Sequence, residues 1–410
     1  VSDSLTFASE DALANMLFRV GLVTDIFARA GAQRVMASLA NALVEKDVRV
    51  GIYCLDRTGE AETWLSDSVD VHVIGRQRGK ALDWKCVSKL RGLLQEHRVD
   101  IVQSHNWSTL LEVTAATTWN RCIRHVYSEH GGLIIQPSAS KLKNFFRSYI
   151  ARYALENAHK RIAIAQRLRS RLSIETGIAI ERIDYLPNGC EMPACKYGSV
   201  AEARSTIKDR LGLSTNRFVF GTVARLHEIK RLDWMITAFA SAMSKGLDST
   251  LIIVGEGAER PRLEALVNEL NIRDHVCFVG EQSDIADWLA CMDVYVNSSR
   301  SEGMSISILE AMAMGTPILA TDVGDSGILV GGSPPAGVLV PAGNLDSLCN
   351  GMLSLRGDAQ QRKTFGANAQ IRFRSEYSVS RMCHRYLQTY RNLLNLPEEQ
   401  SNEQGKGSKK

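Results

Sequence analysis

A chain of 410 residues, 45% hydrophobic and 23% charged, has the composition of a soluble globular protein and is too long for one ordinary core, so two domains are expected. The formal charge of +4 says little about partners; nine cysteines stand as singletons with no C-x-x-C or Cys/His cluster of metal-ligand spacing, which excludes a zinc-type centre and suits free thiols in a reducing, cytoplasmic compartment. No run reaches the roughly 18 uninterrupted apolar residues that a membrane-spanning helix needs.

The first residues, VSDSLTFASEDALAN, are acidic and Ser-rich and precede the first Met, Met16; residues 1–16 are expected to be an extension that adds little to the fold and is not a secretory signal. The mainly apolar run Leu17–Val23 predicts a buried strand, followed by a helix from about Ala32 to Lys46 and a strand Val48–Cys54. This β-loop-α-β opening starts a doubly wound sheet. Alternation continues with a strand near Val69–Ile74, a helix near Lys85–His97, and then strand Asp100–Ser104, helix Thr109–Thr118 and strand His125–Ser128. The sheet should be mostly parallel, with ligands beyond the carboxyl ends of its strands. His105, followed by Asn106, and His130, followed by Gly131 and Gly132, fall at two such ends. A histidine there is more often a structural hydrogen-bonder than a catalyst, but the glycines after His130 would let a ligand approach, and His105 ranks second.

Residues 141–171 carry nine Lys or Arg against one acid, and Leu142, Phe145, Phe146, Tyr149, Ile150 and Tyr153 follow helical spacing. Two readings stay open: the apolar stripe packs on the sheet and the cations are merely solvated, or the segment makes peripheral contact with anionic lipid at the inner face of a membrane. No DNA- or RNA-binding motif accompanies it, so no nucleic acid partner is expected. A strand Ile162–Ala165, a helix Gln166–Thr176 and the turn Leu186-Pro-Asn-Gly189 follow; Cys190–Ser205 lacks periodicity and is read as the linker, which gives a first domain over 17–195 and a second over 196–377.

The second domain opens with a strand Phe218–Ala224. Arg225 and Lys230 flank the loop before a helix Leu232–Met243; fixed cations in such a loop meet a diphosphate, Arg as a bidentate fork and Lys as a point charge, although surface cations near loops are usually just solvated. Strand Thr250–Val254 leads to Gly255-Glu-Gly257, and Arg260 stands where the third glycine of G-x-G-x-x-G would be, so no nicotinamide or flavin site is read. After a strand Val276–Gly280 and a helix Ile285–Met292 comes VYVNSSRSEGMSISILEAMAMGTPILATDVG, residues 294–324. Glu302 lies in its polar loop and Glu310 in the first turns of a helix expected over 308–314. A helix N-terminus gathers unpaired N–H groups and the positive end of the dipole, which favours an anion. One acid beside it and one just inside the helix would hold two hydroxyl-rich rings on either side of a diphosphate, the shape of a nucleotide sugar. The competing reading is a Ser307-x-x-Glu310 capping box, in which Glu310 only satisfies a backbone N–H. A late strand Gly337–Val340 and an amphipathic helix Ser378–Asn395 close the fold, and the polar tail 396–410 is expected to be disordered.

The Glu302-x7-Glu310 spacing, the run Glu310-Ala-Met-Ala-x-Gly-x-Pro and the segment Ala320-Thr-Asp-Val-Gly324 resemble the signature of family 4 glycosyltransferases, the glycosyl transferases group 1. The resemblance spans nearly all of 17–395 and is strongest over 221–324. It implies an α/β GT-B fold: two Rossmann-like, doubly wound parallel-sheet domains facing an interdomain cleft, with the 378–395 helix crossing back to the first. It also implies retaining transfer of a hexose-type sugar from a nucleotide diphosphate sugar, most commonly a UDP-sugar; the basic amphipathic segment over 141–171 favours a lipid-linked or surface-glycan acceptor of polysaccharide or lipopolysaccharide assembly at the inner face of a membrane. By the same resemblance, Arg225, Lys230 and the helix start at Gly303, Met304, Ser305 and Ile306 neutralise the leaving diphosphate; the sequence has no D-x-D pair and no ligand cluster for a divalent cation, so no metal and no cofactor are expected. Glu302 holds hydroxyls of the donor sugar, Glu310 the ribose diol and His130 another sugar hydroxyl. Gly31, Gly255 and the backbone of Val279 line the donor, and His105, Asn106, Gly131 and Gly132 fall to the acceptor. Two departures stand out: Ala30-Gly31-Ala32-Gln33 replaces the usual Gly-Gly-x-Glu, and Arg231 follows Lys230 where the family often has glycine. Competing functions are transfer to a soluble small-molecule acceptor, a nucleotide-sugar epimerase and a non-catalytic nucleotide-sugar-binding partner of a glycan assembly complex; a glycosidase would not need a diphosphate cradle.

Overall fold

The short apolar runs of the sequence become the strands of two all-parallel sheets. The chain was analysed as a computed structural model that describes residues 18–77, 82–118, 120, 122–132, 134–135 and 139–397; the expected extension over 1–16 lies outside these residues, as does the expected tail from 398 on. The chain divides into two units, one made of the residues up to Ala163, Leu172–Leu186 and Met382 onward, the other of Ile164–Arg171 and Pro187–Arg381.

The first unit holds β1 (Arg19–Phe27), α1 (Gly31–Val44), β2 (Arg49–Thr58), β3 (Asp70–Val73), α2 (Trp84–Glu96), β4 (Ile101–His105), α3 (Trp107–Thr117), β5 (Arg124–Glu129), α4 (Lys141–Glu156) and β6 (Lys160–Ala163). The helix α5 (Gln166–Thr176) then leads to β7 (Asp184–Tyr185). The sheet order is β3-β2-β1-β4-β5-β6-β7. After α6 (Val200–Arg210), the second unit runs β8 (Val219–Val223), α7 (Leu232–Ser244), β9 (Thr250–Val254), α8 (Arg260–Glu269), β10 (Val276–Gly280), α9 (Ile285–Cys291), β11 (Val294–Asn297), α10 (Ile306–Ala313), β12 (Ile318–Thr321), α11 (Ser326–Gly331), β13 (Gly337–Val340), α12 (Leu345–Gly357) and α13 (Ala359–Arg372). Its order is β10-β9-β8-β11-β12-β13. Every residue of β4, β9, β11 and β12 is buried, as parallel strands covered on both faces require.

The last helix, α14 (Val379–Leu394), buries Met382, Cys383, Tyr386, Leu387 and Tyr390, one stripe at helical spacing. Tyr390 Oη donates to Gln103 Oε1, Tyr386 Oη lies 3.4 Å from Ser128 Oγ, and the Tyr390 ring meets Phe18 edge-on, so these residues complete the first sheet.

Two points differ from expectation, and a third that was left open is decided. The units divide at Leu186 and Pro187, ahead of the linker expected over 190–205, and that linker ends in the helix α6. Its signal was present in the sequence: Ser199 caps the helix by accepting from Glu202 N–H at 3.2 Å and donates to the Glu202 carboxylate at 3.0 Å, a Ser-x-x-Glu start. The stripe on α4 does not pack on the sheet. That helix buries Ala151, Ala154 and Leu155 and turns Leu142, Phe145, Phe146, Tyr149, Ile150 and Tyr153 outward. All nine cysteines are free thiols, and no helix among the described residues is long and apolar enough to cross a membrane.

The loops after β8 and β9 touch backbone to backbone. Gly255 has φ +132, and a Cβ there would lie 2.0 Å from Ala224 O; Leu226 N–H donates to Glu256 O at 2.8 Å. Substituting Gly255→Ala therefore forces the Ala224–Leu226 backbone aside as well as straining residue 255. Urea unfolding of that variant should show a loss on the order of 2–3 kcal/mol, whereas a loss below ~0.5 kcal/mol would show that the loop moves freely.

Candidate functional site

In the second unit the strand order reverses between β8 and β11, the kind of switch point at which open parallel sheets take their ligands. The loop after β8 carries Arg225 and Lys230, and the loop after β11 carries Glu302. The loops are stitched together: Ser298 Oγ donates to Lys230 O at 3.0 Å and Arg231 O at 2.9 Å, and Arg300 N–H donates to Ile229 O at 2.9 Å. Lys230 Nζ thereby comes within 2.5 Å of Glu302 Oε1, which also accepts from Ser299 Oγ at 2.6 Å. The pair is largely shielded, with side chains 22% and 11% exposed. Arg225 is exposed, and its guanidinium has no ion-pair or hydrogen-bond partner among the described residues.

The helix α10 begins at Ile306, two residues before its expected start, with Ser305 as an N-cap that makes no side-chain capping bond and with no acid in the first turn. The capping-box reading is thus overturned. Ser307 lies inside the helix, where its hydroxyl accepts from Tyr295 Oη at 2.7 Å and lies 3.2 Å from Ser305 Oγ. Burial pushes the Tyr295 phenol up to about 12, so it stays protonated as a donor. An N-terminus left without a side-chain cap or a negative charge suits an incoming anion. Glu310 sits half-buried further into the helix and Met304 is buried, while Gly303 carries the turn.

Sequence reasoning left Gly324 and Asp325 without a role. Gly324 has φ +56, and a Cβ there would lie 2.4 Å from Gly303 O and 2.5 Å from Glu302 O. Asp325 N–H donates to Gly303 O at 3.0 Å, and its buried carboxylate accepts from Gln166 N–H at 2.9 Å. Together they seat the loop that presents Glu302. Their only sequence signal was the Ala320-Thr-Asp-Val-Gly324 segment.

Other expected donor residues differ in role. Gly255 makes the close backbone approach described above. Val279 falls where the β10 register steps from Phe278↔Ile253 to Gly280↔Val254, a bulge, and its carbonyl accepts from Gln282 Nε2 at 2.8 Å. Arg231 adopts the left-handed conformation, φ +48, which accounts for the glycine often found there. Its guanidinium forks onto Asp233 at 2.9 and 2.7 Å and lies 4.2 Å over Trp234, so its charge is committed away from Lys230.

The first unit reverses strand order between β1 and β4. Gly31 is exposed at the first position of α1, and Gln33 donates to Ile26 O at 3.1 Å, so the amide that replaces the usual acid is tied to its own strand end. His105 is 4% exposed, with Nδ1 3.1 Å from Val23 O and Nε2 3.1 Å from Gln103 Nε2. Both ring nitrogens are occupied, so neither is left for the acceptor contact expected of it. Asn106 has φ +65 and ψ 169, a region almost reserved for glycine; its Oδ1 accepts from His130 N–H at 2.9 Å and Gly132 N–H at 3.4 Å. His130 places Nε2 3.1 Å from Ser128 Oγ and its ring 5.1 Å from that of His105, while its buried Nδ1 has no hydrogen-bond partner among the described residues. Burial, reinforced by His105, holds its pKa well below the usual range, so it is a neutral hydrogen-bonding group. Glu129, which the sequence did not single out, is buried and accepts from Tyr127 Oη at 2.5 Å and Gly131 N–H at 2.7 Å. It fixes the His130–Gly132 turn. Gly131, φ +122, has open space where a Cβ would go, so its conformation alone requires glycine. No group of three or more His, Cys, Asp or Glu able to hold a metal ion occurs among the described residues.

Two family models match this chain, one described as Glycosyl transferases group 1 over residues 217–358 and one as Glycosyltransferase Family 4 over residues 29–192. The two parallel-sheet units are those of a GT-B glycosyltransferase, and the chain belongs to that family. The UDP-Gal:alpha-D-GlcNAc-diphosphoundecaprenol alpha-1,3-galactosyltransferase of Escherichia coli is 26% identical over 80% of this chain and 85% of its own length. The lipopolysaccharide core biosynthesis mannosyltransferase LpsB of Rhizobium meliloti (strain 1021) is 26% identical over 47% of this chain and 56% of its own. Among solved structures, Anabaena Alr3699/HepE in complex with UDP gives a TM-score of 0.77 at 23% identity, covering 92% of this chain and 100% of that one, a likeness of fold.

Burial lowers the His105 pKa from 6.5 to about 4. The unfolded chain therefore takes up a proton near pH 6.5 that the folded chain refuses until pH falls much further, so stability present above pH 6.5 is lost toward pH 4. Between pH 7 and 4.5 this one group accounts for on the order of 2 kcal/mol. Urea unfolding at both pH values should show a loss smaller by about that amount in His105→Gln, and an equal loss in both proteins would assign the acid sensitivity elsewhere.

Proposed function

We propose that this glycosyltransferase works with retention of anomeric configuration and without a metal ion. Its donor is a nucleotide diphosphate sugar, a UDP-sugar first among the candidates, and its acceptor is a lipid-linked or surface glycan of polysaccharide or lipopolysaccharide assembly. The observation that carries the donor half is the contact of Lys230 with Glu302 at the entry to an uncapped helix, with the unpartnered Arg225 in the same loop as Lys230. As the bond between the anomeric carbon and phosphate breaks, negative charge builds on the diphosphate; Lys230, Arg225 and the first N–H groups of α10 supply the compensating charge in fixed positions. Without donor, Lys230 rests on Glu302. With donor bound, Lys230 turns to phosphate, Glu302 takes sugar hydroxyls and Glu310 takes the ribose diol. His130, neutral by burial, accepts or donates a hydrogen bond to a sugar hydroxyl and moves no proton. The acceptor half rests on the relatives: one is named for a diphosphoundecaprenol-linked sugar and one for the lipopolysaccharide core.

A thermal-shift panel with the diphosphates of uridine, guanosine, adenosine and thymidine tests the donor. Ligand at about a hundred times its Kd adds about 2.7 kcal/mol, so one diphosphate should raise the Tm of the parent and raise that of Glu310→Ala much less; no shift with any of them would remove the donor reading. Lys230→Ala should lower kcat by about a hundredfold or more, roughly 3 kcal/mol of transition-state stabilisation. EDTA should leave the rate unchanged, and a loss restored by Mg²⁺ or Mn²⁺ would overturn metal independence.

A further inference from the structure

The helix α4 has two apolar faces. The narrow one, Ala151, Ala154 and Leu155, is buried in the first unit. The other consists of Leu142, Phe145, Phe146, Tyr149, Ile150 and Tyr153, and each of these is between 43% and 65% exposed. At 100° per residue they fill an arc of roughly 140° opposite the buried face. Cations border the arc on both sides: Lys141 and Arg152 on one flank and Lys143 on the other, all exposed. The only acid on the helix, Glu156, is 3.1 Å from Arg152 Nε. Arg147, further round the Lys143 flank, is not part of this border, because Nε donates to Ile134 O at 2.6 Å and the guanidinium lies over Trp107. Ser148 Oγ donates to Glu175 O, which brings the end of α5 alongside, and the neighbouring Ile174 is 82% exposed.

We propose that this face of α4 is a membrane-docking surface that lies in the plane of an anionic lipid bilayer, with the aromatic arc inserted at the level between headgroups and acyl chains. Apolar side chains flanked by cations are the pattern of an interfacial helix: the arc leaves water while Lys141, Lys143 and Arg152 reach lipid phosphates. Tyr149 and Tyr153 suit that boundary, since each has an apolar ring and a polar tip. A second copy of the chain fits less well, because a self-complementary contact on this face would bring its bordering cations near those of the partner, and the one acid of the helix, Glu156, is already paired with Arg152. The helix is built before any lipid arrives: Ser140 caps it, accepting from Lys143 N–H at 3.3 Å, and its other face is packed. Docking is therefore insertion of a preformed surface. It is independent of the donor chemistry, since vesicle binding needs neither donor nor acceptor and either reading can fail alone.

Flotation of the full chain with vesicles of phosphatidylglycerol and phosphatidylcholine in equal parts, against vesicles of phosphatidylcholine alone, tests the proposal. The parent should float with the anionic vesicles. The triple variant Phe145→Ser, Phe146→Ser, Tyr149→Ser should lose on the order of a hundredfold or more in partition coefficient at any salt concentration. Lys141→Glu with Lys143→Glu should weaken binding strongly at low salt and less at about 0.5 M salt, where screening already removes most of the attraction. A single Phe145→Trp variant gives a second readout that does not depend on the triple variant folding: relative to the parent, its added emission should shift to the blue with anionic vesicles. A parent that does not float, a triple variant that floats like the parent, or an added emission in Phe145→Trp that stays unshifted would overturn the proposal. So would a concentration-dependent dimer in lipid-free sedimentation that the triple variant abolishes, which would give the face to a second copy.

Discussion

Two backbones held too close for side chains to pass between them set the geometry of the second unit. Gly324 lets the segment after β12 press against the carbonyls of Glu302 and Gly303, and Gly255 lets the segment after β9 press against Ala224. Between these contacts the loops after β8 and β11 have little freedom, and Ser298 bonds one to the other. Glu302 and Lys230 therefore meet because their backbones are pinned rather than because opposite charges found each other. An exposed pair with free backbones would contribute little; this one is shielded and placed in advance, which is how a site keeps charge ready for a ligand's own charge.

The first unit treats its polar groups in the opposite manner. Tyr390, Gln103, His105 and Val23 form a closed chain of hydrogen bonds, and Glu129 is occupied by Tyr127 and Gly131. The orphaned polar atom of this cluster is His130 Nδ1. A buried acceptor or donor without a partner is costly, and here the groups around it are hydrogen-bonded.

What the sequence revealed and what it hid divide along the range of the interactions. Strand β9, Thr250–Val254, and strand β13, Gly337–Val340, were legible to the residue, because an apolar run between turn signals is a local pattern. The pairing of Glu302 with Lys230 could be expected only through family resemblance, since nothing near either residue in sequence predicts the other. His105 illustrates the converse. Its position at a strand end was correct, but whether its ring looks outward depends on Gln103 and Tyr390, which are brought together by the fold. Helical periodicity in α4 likewise gave the stripe and not the side of the helix that is covered: two alanines and a leucine suffice for the core, and the aromatic side is left over. Arg231 is a third case, for a left-handed backbone at a non-glycine residue leaves no mark in composition.

The residues that complete the first sheet come from the far end of the chain. Phe18, Gln103 and Ser128 meet Tyr390 and Tyr386, and the unit to which they belong resumes only at Met382. During synthesis the ribosome must therefore release the whole second unit before the first can close, leaving Gln103 and its neighbours without their tyrosine partners in the interval. The unit made second is thus the first that can be finished, and a chain cut short by a few turns of its last helix would injure the domain at its other end.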